Sequence, residues 1–293
     1  MKKLIVNADD FGFTDGVNEG IARAFQEGIV TSASIMATGP AFDEAVERAR
    51  SNPHLSVGCH LTILGAAPVS PPRQVPSLID GDGRMPRNIS RLMAKLLGGS
   101  LQIEDIEREF RAQVERVVAA RIIPTHLDTH KHAHGHPSVM AALSRVARDF
   151  RIPSVRNPFE SFHYPRSVGA AARARRGEHW KQFALSMAIK PAAARFRRLA
   201  RANGLRTPDY FCGVSLTGLL DSAAILAIVR SLREGTTELV CHPGIYDEDL
   251  ENAPTRLKRE REAELLALVD HDVLRCVQEH GVILISYRDL VSD

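Results

Sequence analysis

Short apolar runs alternate with stretches of helical spacing along this chain, and that alternation carries the fold. Residues 3–8 form an apolar run of strand length. From 15 to 26 the residues Val17, Ile21, Ala24 and Phe25 then share one helical stripe, which Gly28 is placed to stop. The unit repeats, with β-branched and small apolar residues over 29–37, helical spacing over 42–50 and a further strand over 55–61. A Pro-rich stretch at 67–76 opens a long loop through Gly81-Asp82-Gly83, and loops of that length tend to be functional. Beyond it the spacing predicts a helix over 103–120, a strand over 125–129, a His-rich loop, a helix over 137–149 and a strand over 154–156. A basic segment follows. Then come a helix over 222–233, a strand over 237–241, helices over 255–269 and 273–279, and a last strand over 282–286. Short strands separated by helices make a parallel sheet. Seven or so such units predict an α/β fold, an irregular, closed or nearly closed (β/α) barrel in a single domain spanning 1–293.

Composition fits that size. With 293 residues, 44% hydrophobic and 25% charged, and a net charge of +3, the chain has the make-up of a folded globular protein, not of a disordered one. Cys59, Cys212, Cys241 and Cys276 are far apart and form no Cys-x-x-Cys pair, so neither a zinc ribbon nor a disulfide framework is expected, and a reducing cytoplasm fits. The Lys2-Lys3 start resembles a signal peptide for only a few residues, because Leu4-Ile5-Val6 ends in Asn7-Ala8-Asp9-Asp10. No stretch reaches the roughly 18 apolar residues of a membrane span. Charge is uneven: between Arg166 and Arg206 there are 11 Lys/Arg against the single acid Glu178, so the remainder of the chain is net acidic.

In a barrel of parallel strands the reactive groups collect at the strands' C-terminal ends. Four expected strand ends carry such groups: Asp9-Asp10, His60, His130, and His242 of Cys241-His242-Pro243-Gly244. Two imidazoles and a carboxylate suit one divalent metal ion, zinc and magnesium first among the choices, with positions left for water and substrate. Adjacent side chains of an extended strand point oppositely, so Asp9 and Asp10 are expected to split roles, one holding the metal and the other taking a proton from metal-bound water. His242 would then protonate a leaving nitrogen. Within Thr125 to His136 the strand period of two puts His126, Asp128 and His130 on one face. Only His130 reaches the strand's end, so it is the ligand and Asp128 its supporting partner, while His132, His134 and His136 lie in the loop as solvated or substrate-lining residues.

Taken together, Asn7-Ala8-Asp9-Asp10-Phe11-Gly12, Gly58-Cys59-His60-Leu61, Thr125-His126-Leu127-Asp128-Thr129-His130 and Cys241-His242-Pro243-Gly244 resemble the YdjC-type carbohydrate deacetylases across nearly the whole chain. The resemblance implies a barrel related to that of polysaccharide deacetylases, metal ligands at Asp10, His60 and His130, and a base at Asp9. Arg156-Asn157-Pro158-Phe159 is similar to the motif whose arginine orients the catalytic aspartate, which gives Arg156 that role. The implied reaction is hydrolysis of the N-acetyl group of an amino sugar. The run from Asp128 to Pro137 and the loop from Pro71 to Gly83 look more like the hopanoid-biosynthesis-associated branch than the chitooligosaccharide one, which implies a glycolipid substrate. Lys131 departs from the chitooligosaccharide pattern. His126 and His132 join Asp128 as residues expected near substrate or supporting the ligands.

Other functions compete with this reading. A glycoside hydrolase needs two carboxylates about 5 to 9.5 Å apart, which neighbours on one strand rarely supply. A different metallohydrolase, such as a phosphoesterase, would share the ligand set, and a non-catalytic sugar-binding protein would have no need of an acid opposite a base. The basic region, taken as a helical insertion at about 164–206, has two readings. Trp180, Phe183, Ala184 and Met187 beside Arg173, Arg175, Arg176 and Lys181 fit either an anionic membrane surface or a solvated insertion packed on the barrel or on a second subunit, as in a homodimer; the packed insertion is preferred. Nucleic acid is not an expected partner, since stacking aromatics are few.

Overall fold

The computed structural model describes residues 1–161 and 169–291. Eight strands make one parallel sheet: β1 (Lys2–Phe11), β2 (Ser32–Ile35), β3 (Ser56–Leu61), β4 (His126–Thr129), β5 (Ser154–Val155), β6 (Tyr210–Cys212), β7 (Gly235–Cys241) and β8 (Ile283–Leu284). Their order is β5-β4-β3-β2-β1-β7-β6, and β8 pairs with the start of β1 through Lys3 and Leu4. The sheet curls until its two ends touch: Ser154 bridges Arg206, the Val155 amide donates to the Arg206 carbonyl at 2.9 Å, and the Arg206 amide to the Pro153 carbonyl at 2.9 Å. The expected α/β barrel is therefore present, almost closed, with one narrow seam between β5 and β6.

Residues on β1 to β4 are buried with few exceptions, as parallel strands covered on both sides should be. Alternation divides them. Val6, Ala8, Ala33, Ile35 and Leu127 belong to the main apolar core. The alternate positions are polar, and they meet across strands that are not neighbours. Ser34 of β2 donates to Asp128 of β4 at 2.9 Å, and Arg156, just past β5, reaches both Asp9 of β1 and Glu238 of β7. Such bonds can only cross the barrel's inside, so the interior is a hydrogen-bonded polar network where many barrels hold branched aliphatics.

Helix termini follow local chemistry. Thr14 Oγ1 accepts from the Val17 amide at 3.2 Å to open the helix Asp15–Gln26, and His136 Nδ1 with Pro137 opens Pro137–Asp149. Among the elements not foreseen in the sequence are β6 and the helix Ile89–Leu97. Strand β6 has only three residues, and the helix Ile89–Leu97 buries only Leu92. The long loop before that helix is pinned from below, where buried Glu109 accepts from the Val69 and Ser70 amides, each at 2.9 Å.

The basic region is not one unit. Its first residues, 164–168, lie outside the described ones. Helix Ala193–Ala202 packs on Pro137–Asp149 and is the crossover between β5 and β6. Helix Arg176–Ile189 instead covers the loop after β6, with His179 Nδ1 3.2 Å from the Ser215 carbonyl and Gln182 donating to the Thr217 carbonyl at 3.3 Å. Arg175 ties this region to Glu260 at 2.9 Å, while Trp180 remains 57% exposed near Arg176 and Lys181. Among the described residues no helix is long and apolar enough to cross a membrane.

Candidate metal centre and its buried support

The site begins with a fault in β1. Ala8 pairs with Ala33 and Phe11 with Ile35, so Asp9 and Asp10 together face the single residue Ser34, and Asp10 takes a φ of 68°. This is a β-bulge with one residue in the left-handed region, where a side chain other than glycine's is strained. Strain of that sort marks a functional position. Its effect is to turn both carboxylates toward one imidazole, with His60 Nε2 3.5 Å from Asp10 Oδ1 and His60 Nδ1 3.9 Å from Asp9 Oδ2. The alternation of a regular strand would have sent them to opposite faces.

Asp10, His60 and His130 come together. Asp10 Oδ1 lies 3.4 Å from His130 Nδ1 and 3.5 Å from His60 Nε2, and the two nitrogens are 3.3 Å apart. Buried Asp10 Oδ1 has no hydrogen-bond donor. Ligand atoms about 2.0–2.1 Å from a tetrahedral ion stand about 3.3–3.4 Å from each other. Around an octahedral magnesium at about 2.1 Å adjacent ligands would be nearer 3.0 Å. The donor triangle fits a metal ion, and its edges match the tetrahedral case. His130 sits just past the end of β4, where Lys131 and His132 adopt φ of 56° and 54°, so the chain turns sharply away after delivering the ligand.

Two of the three ligands are held from behind. Asp128 Oδ1 lies 2.8 Å from His60 Nδ1, which leaves Nε2 for the cation, the usual carboxylate–histidine arrangement. Burial pulls the His60 imidazole down, but Asp128, Asp9 and Asp10 outweigh it and raise it to about 9. Burial alone would raise the Asp10 carboxyl, but buried Arg261, which donates to its Oδ2 at 2.6 Å, together with His130 and His60 holds it well below the usual carboxylate range. Asp9 does not share the triangle. Both its oxygens are clasped by Arg156, Nη2 to Oδ1 at 2.6 Å and Nη1 to Oδ2 at 2.8 Å, and Asn7 adds a bond at 3.1 Å.

Arg156 has no solvent exposure and serves three carboxylates: besides Asp9, Nη1 lies 2.7 Å from Asp128 and Nε 2.8 Å from Glu238. A guanidinium can do this because its donors lie in a rigid fork. Burial lifts Glu238 to about 7, with Arg156 and Tyr287 pulling against it. His126 is not a substrate-lining residue. It bonds Ser34 at 3.0 Å and stacks on Tyr287 with ring centroids 3.7 Å apart, beneath the ligands, and burial lowers it to about 3. His132 packs edge-on against Phe211 at 5.5 Å, with a buried, unpartnered Nδ1. His134 is wholly buried between Thr129 Oγ1 and the Arg156 carbonyl, so it is no solvated loop residue.

His242 follows β7 directly. Its amide donates to Glu264 at 2.6 Å, its Nδ1 has no hydrogen-bond partner, and burial holds the imidazole down to about 4 against the pull of Asp10 and Asp9. Glu264 accepts from the Gly218 amide as well, at 2.8 Å, and burial lifts it to about 7. Sequence reasoning missed Arg261, Glu264, Glu238 and Tyr287. Only Glu238 carried a signal, as a lone acid inside a strand. Arg261 is one of several arginines in a charged helix and looks like surface.

Comparison with known proteins agrees with this geometry. Residues 3–279 match the family described as YdjC-like protein. A carbohydrate deacetylase of Geobacillus stearothermophilus is 33% identical over 286 residues, covering 97% of this chain and 96% of the relative. One from Thermoanaerobacter pseudethanolicus is 29% identical, covering 99% and 100%. Among solved structures, an Enterococcus faecalis protein provisionally described as a cellobiose-phosphate cleavage protein superposes with a TM-score of 0.78 at 29% identity, covering 99% of this chain and 98% of that one.

Proposed function

Given that this chain belongs to the YdjC-like family and is a carbohydrate deacetylase, we propose that it removes the acetyl group of an N-acetylated amino sugar with the help of one divalent metal ion. The observation that carries the reading is the triangle of Asp10, His60 and His130, with edges of 3.3 to 3.5 Å and a buried carboxylate oxygen that has no donor. A metal held there supplies Lewis acidity toward water and toward the acetyl carbonyl.

The remaining roles fall to the chain's own groups. Asp9, kept apart from the triangle by the Arg156 clasp, takes the proton that water gives up on attack. His242, at the end of β7 with an unpartnered Nδ1, passes a proton to the departing nitrogen. Arg261 and Asp128 hold two ligands in register from behind. A glycoside hydrolase is disfavoured, because Asp9 and Asp10 both face His60 and do not flank an open cleft.

The sugar is carried on an oligosaccharide or, as the loop resemblance to the hopanoid-associated branch indicates, on a glycolipid. Incubating metal-loaded and chelator-treated enzyme with N-acetylglucosamine oligomers and with an N-acetylglucosaminyl lipid tests the whole reading. Acetate and free amine in equal amounts, lost on chelation and restored by zinc, are expected. Release that persists without metal would remove the metal role, and no acetate from either substrate would remove the amino-sugar assignment.

A further inference from the structure

Tyr287 is distant in sequence from every group of the site, yet it is fully buried in the barrel. Its amide donates to Ser32 Oγ at 3.1 Å at the foot of β2, its ring stacks on His126, and its hydroxyl donates to Glu238 Oε2 at 2.5 Å. The segment after β8 thus enters the barrel from the strands' N-terminal end, opposite the metal centre. From there a line of bonds runs upward. Glu238 Oε1 accepts from Arg156 Nε at 2.8 Å, and the other two nitrogens of Arg156 hold both oxygens of Asp9.

We propose that Tyr287 and Glu238 are positioning residues for deacetylation, fixing the plane of the Arg156 guanidinium and through it the orientation of the Asp9 carboxylate. The inference rests on the reading of Asp9 as the base. A guanidinium sits on a long stem with several rotatable bonds, and Asp9, the group to be oriented, cannot also be its anchor. The fixed points must come from other groups: Asp128, 2.7 Å from Nη1, and, at Nε, Glu238. Glu238 in turn could swing about its last torsion, which is broad for a carboxyl. The Tyr287 hydroxyl holds its second oxygen, and that hydroxyl is held by a rigid ring stacked at 12° on His126. Serial constraint of this kind matters because small misplacements of a reacting group cost large factors in rate.

A plain structural role for Tyr287 predicts lost stability and no particular link to Arg156. Tyr287→Phe removes one oxygen and keeps the ring stack. It is expected to lower kcat about tenfold with KM unchanged. In an Arg156→Lys background, where the anchored fork is already gone, the same substitution is expected to cost less than about twofold, the non-additivity of residues acting through one another. Glu238→Gln, which keeps an acceptor for Arg156, is expected to recover most of the kcat lost in Glu238→Ala. A readout independent of turnover is exchange of the Arg156 Nε proton, followed by NMR, which is expected to quicken in Tyr287→Phe. Wild-type kcat with unaltered exchange would overturn the proposal, and so would an equal loss of kcat in both backgrounds. Full activity of Asp9→Asn would instead sink the assignment of the base. An inactive Asp9→Asn beside an unaffected Tyr287→Phe would sink this inference alone.

Discussion

At the scale of single residues, the two aspartates at the end of β1 do different work because their surroundings differ. Asp10 offers one oxygen to two imidazoles and gives the other to Arg261, whereas both oxygens of Asp9 go to Arg156. Asp9→Asn is therefore expected to bind zinc as tightly as wild type by calorimetry while losing at least about a hundredfold in kcat, the usual scale of general-base loss. His130→Ala removes one corner of the triangle and is expected to lose both zinc and turnover. Equal zinc affinity in the two variants would contradict this division. Three of the four reactive strand ends could be read from the sequence because the polar group closes an apolar run, and His130 because the strand period places it at the end of Thr125 to Thr129. Arg261 could not, since a buried arginine within a charged helix is written like a solvated one and only its partner tells them apart.

Among the elements, β1 departs most from regularity, and no sequence pattern announced it. The bulge that brings Asp9 and Asp10 to the same imidazole shows in the sequence only as two adjacent acids, which a turn or helix cap carries as readily. Strand positions came through well where β-branched runs were long. The three-residue β6 is too short to show a period, and the helix Ile89–Leu97 follows a long Pro- and Gly-rich loop and buries only Leu92. The close approach of β3 to the interior histidine gives a test at this scale. A Cβ at Gly58 would fall 2.4 Å from the His126 ring, which the stacked Tyr287 keeps from retreating. Gly58→Ala is expected to cost about 1–3 kcal/mol of overpacking, read as a lower denaturation midpoint. An unchanged midpoint would mean that the ring is free to move.

For the whole molecule, the polar interior sets the response to pH. Burial holds His126 at about 3 and both His134 and His242 at about 4, so each favours the fold above its ordinary value near 6.5 and loses that contribution as pH falls. Glu238 and Glu264, raised to about 7, act oppositely, and their contribution weakens as pH climbs from about 4.5 to 7. His130, His132 and His136 are also held below their ordinary value, so between about 4.5 and 6.5 the lowered histidines outnumber the two raised glutamates. The stability of the metal-free protein should therefore rise with pH there, measurable by urea titration at stepped pH. A flat or falling profile would mean that the interior histidines carry protons in the fold. On the outside, the region bearing Arg173, Arg176, Trp180 and Lys181 packs on the barrel through His179, Gln182 and Arg175, so the protein is expected to stay off vesicles containing anionic lipid. Flotation at low salt that is lost when the three cations are replaced with glutamine would assign that surface to a membrane. The threaded tyrosine bears on synthesis as well. Asp9 leaves the ribosome well before Tyr287, and the line of bonds between them closes only when the later segment reaches the foot of β2. A nascent chain stalled short of that segment would carry every ligand and the base, and would still lack the peg that locks them, so activity should be acquired only once that segment has emerged.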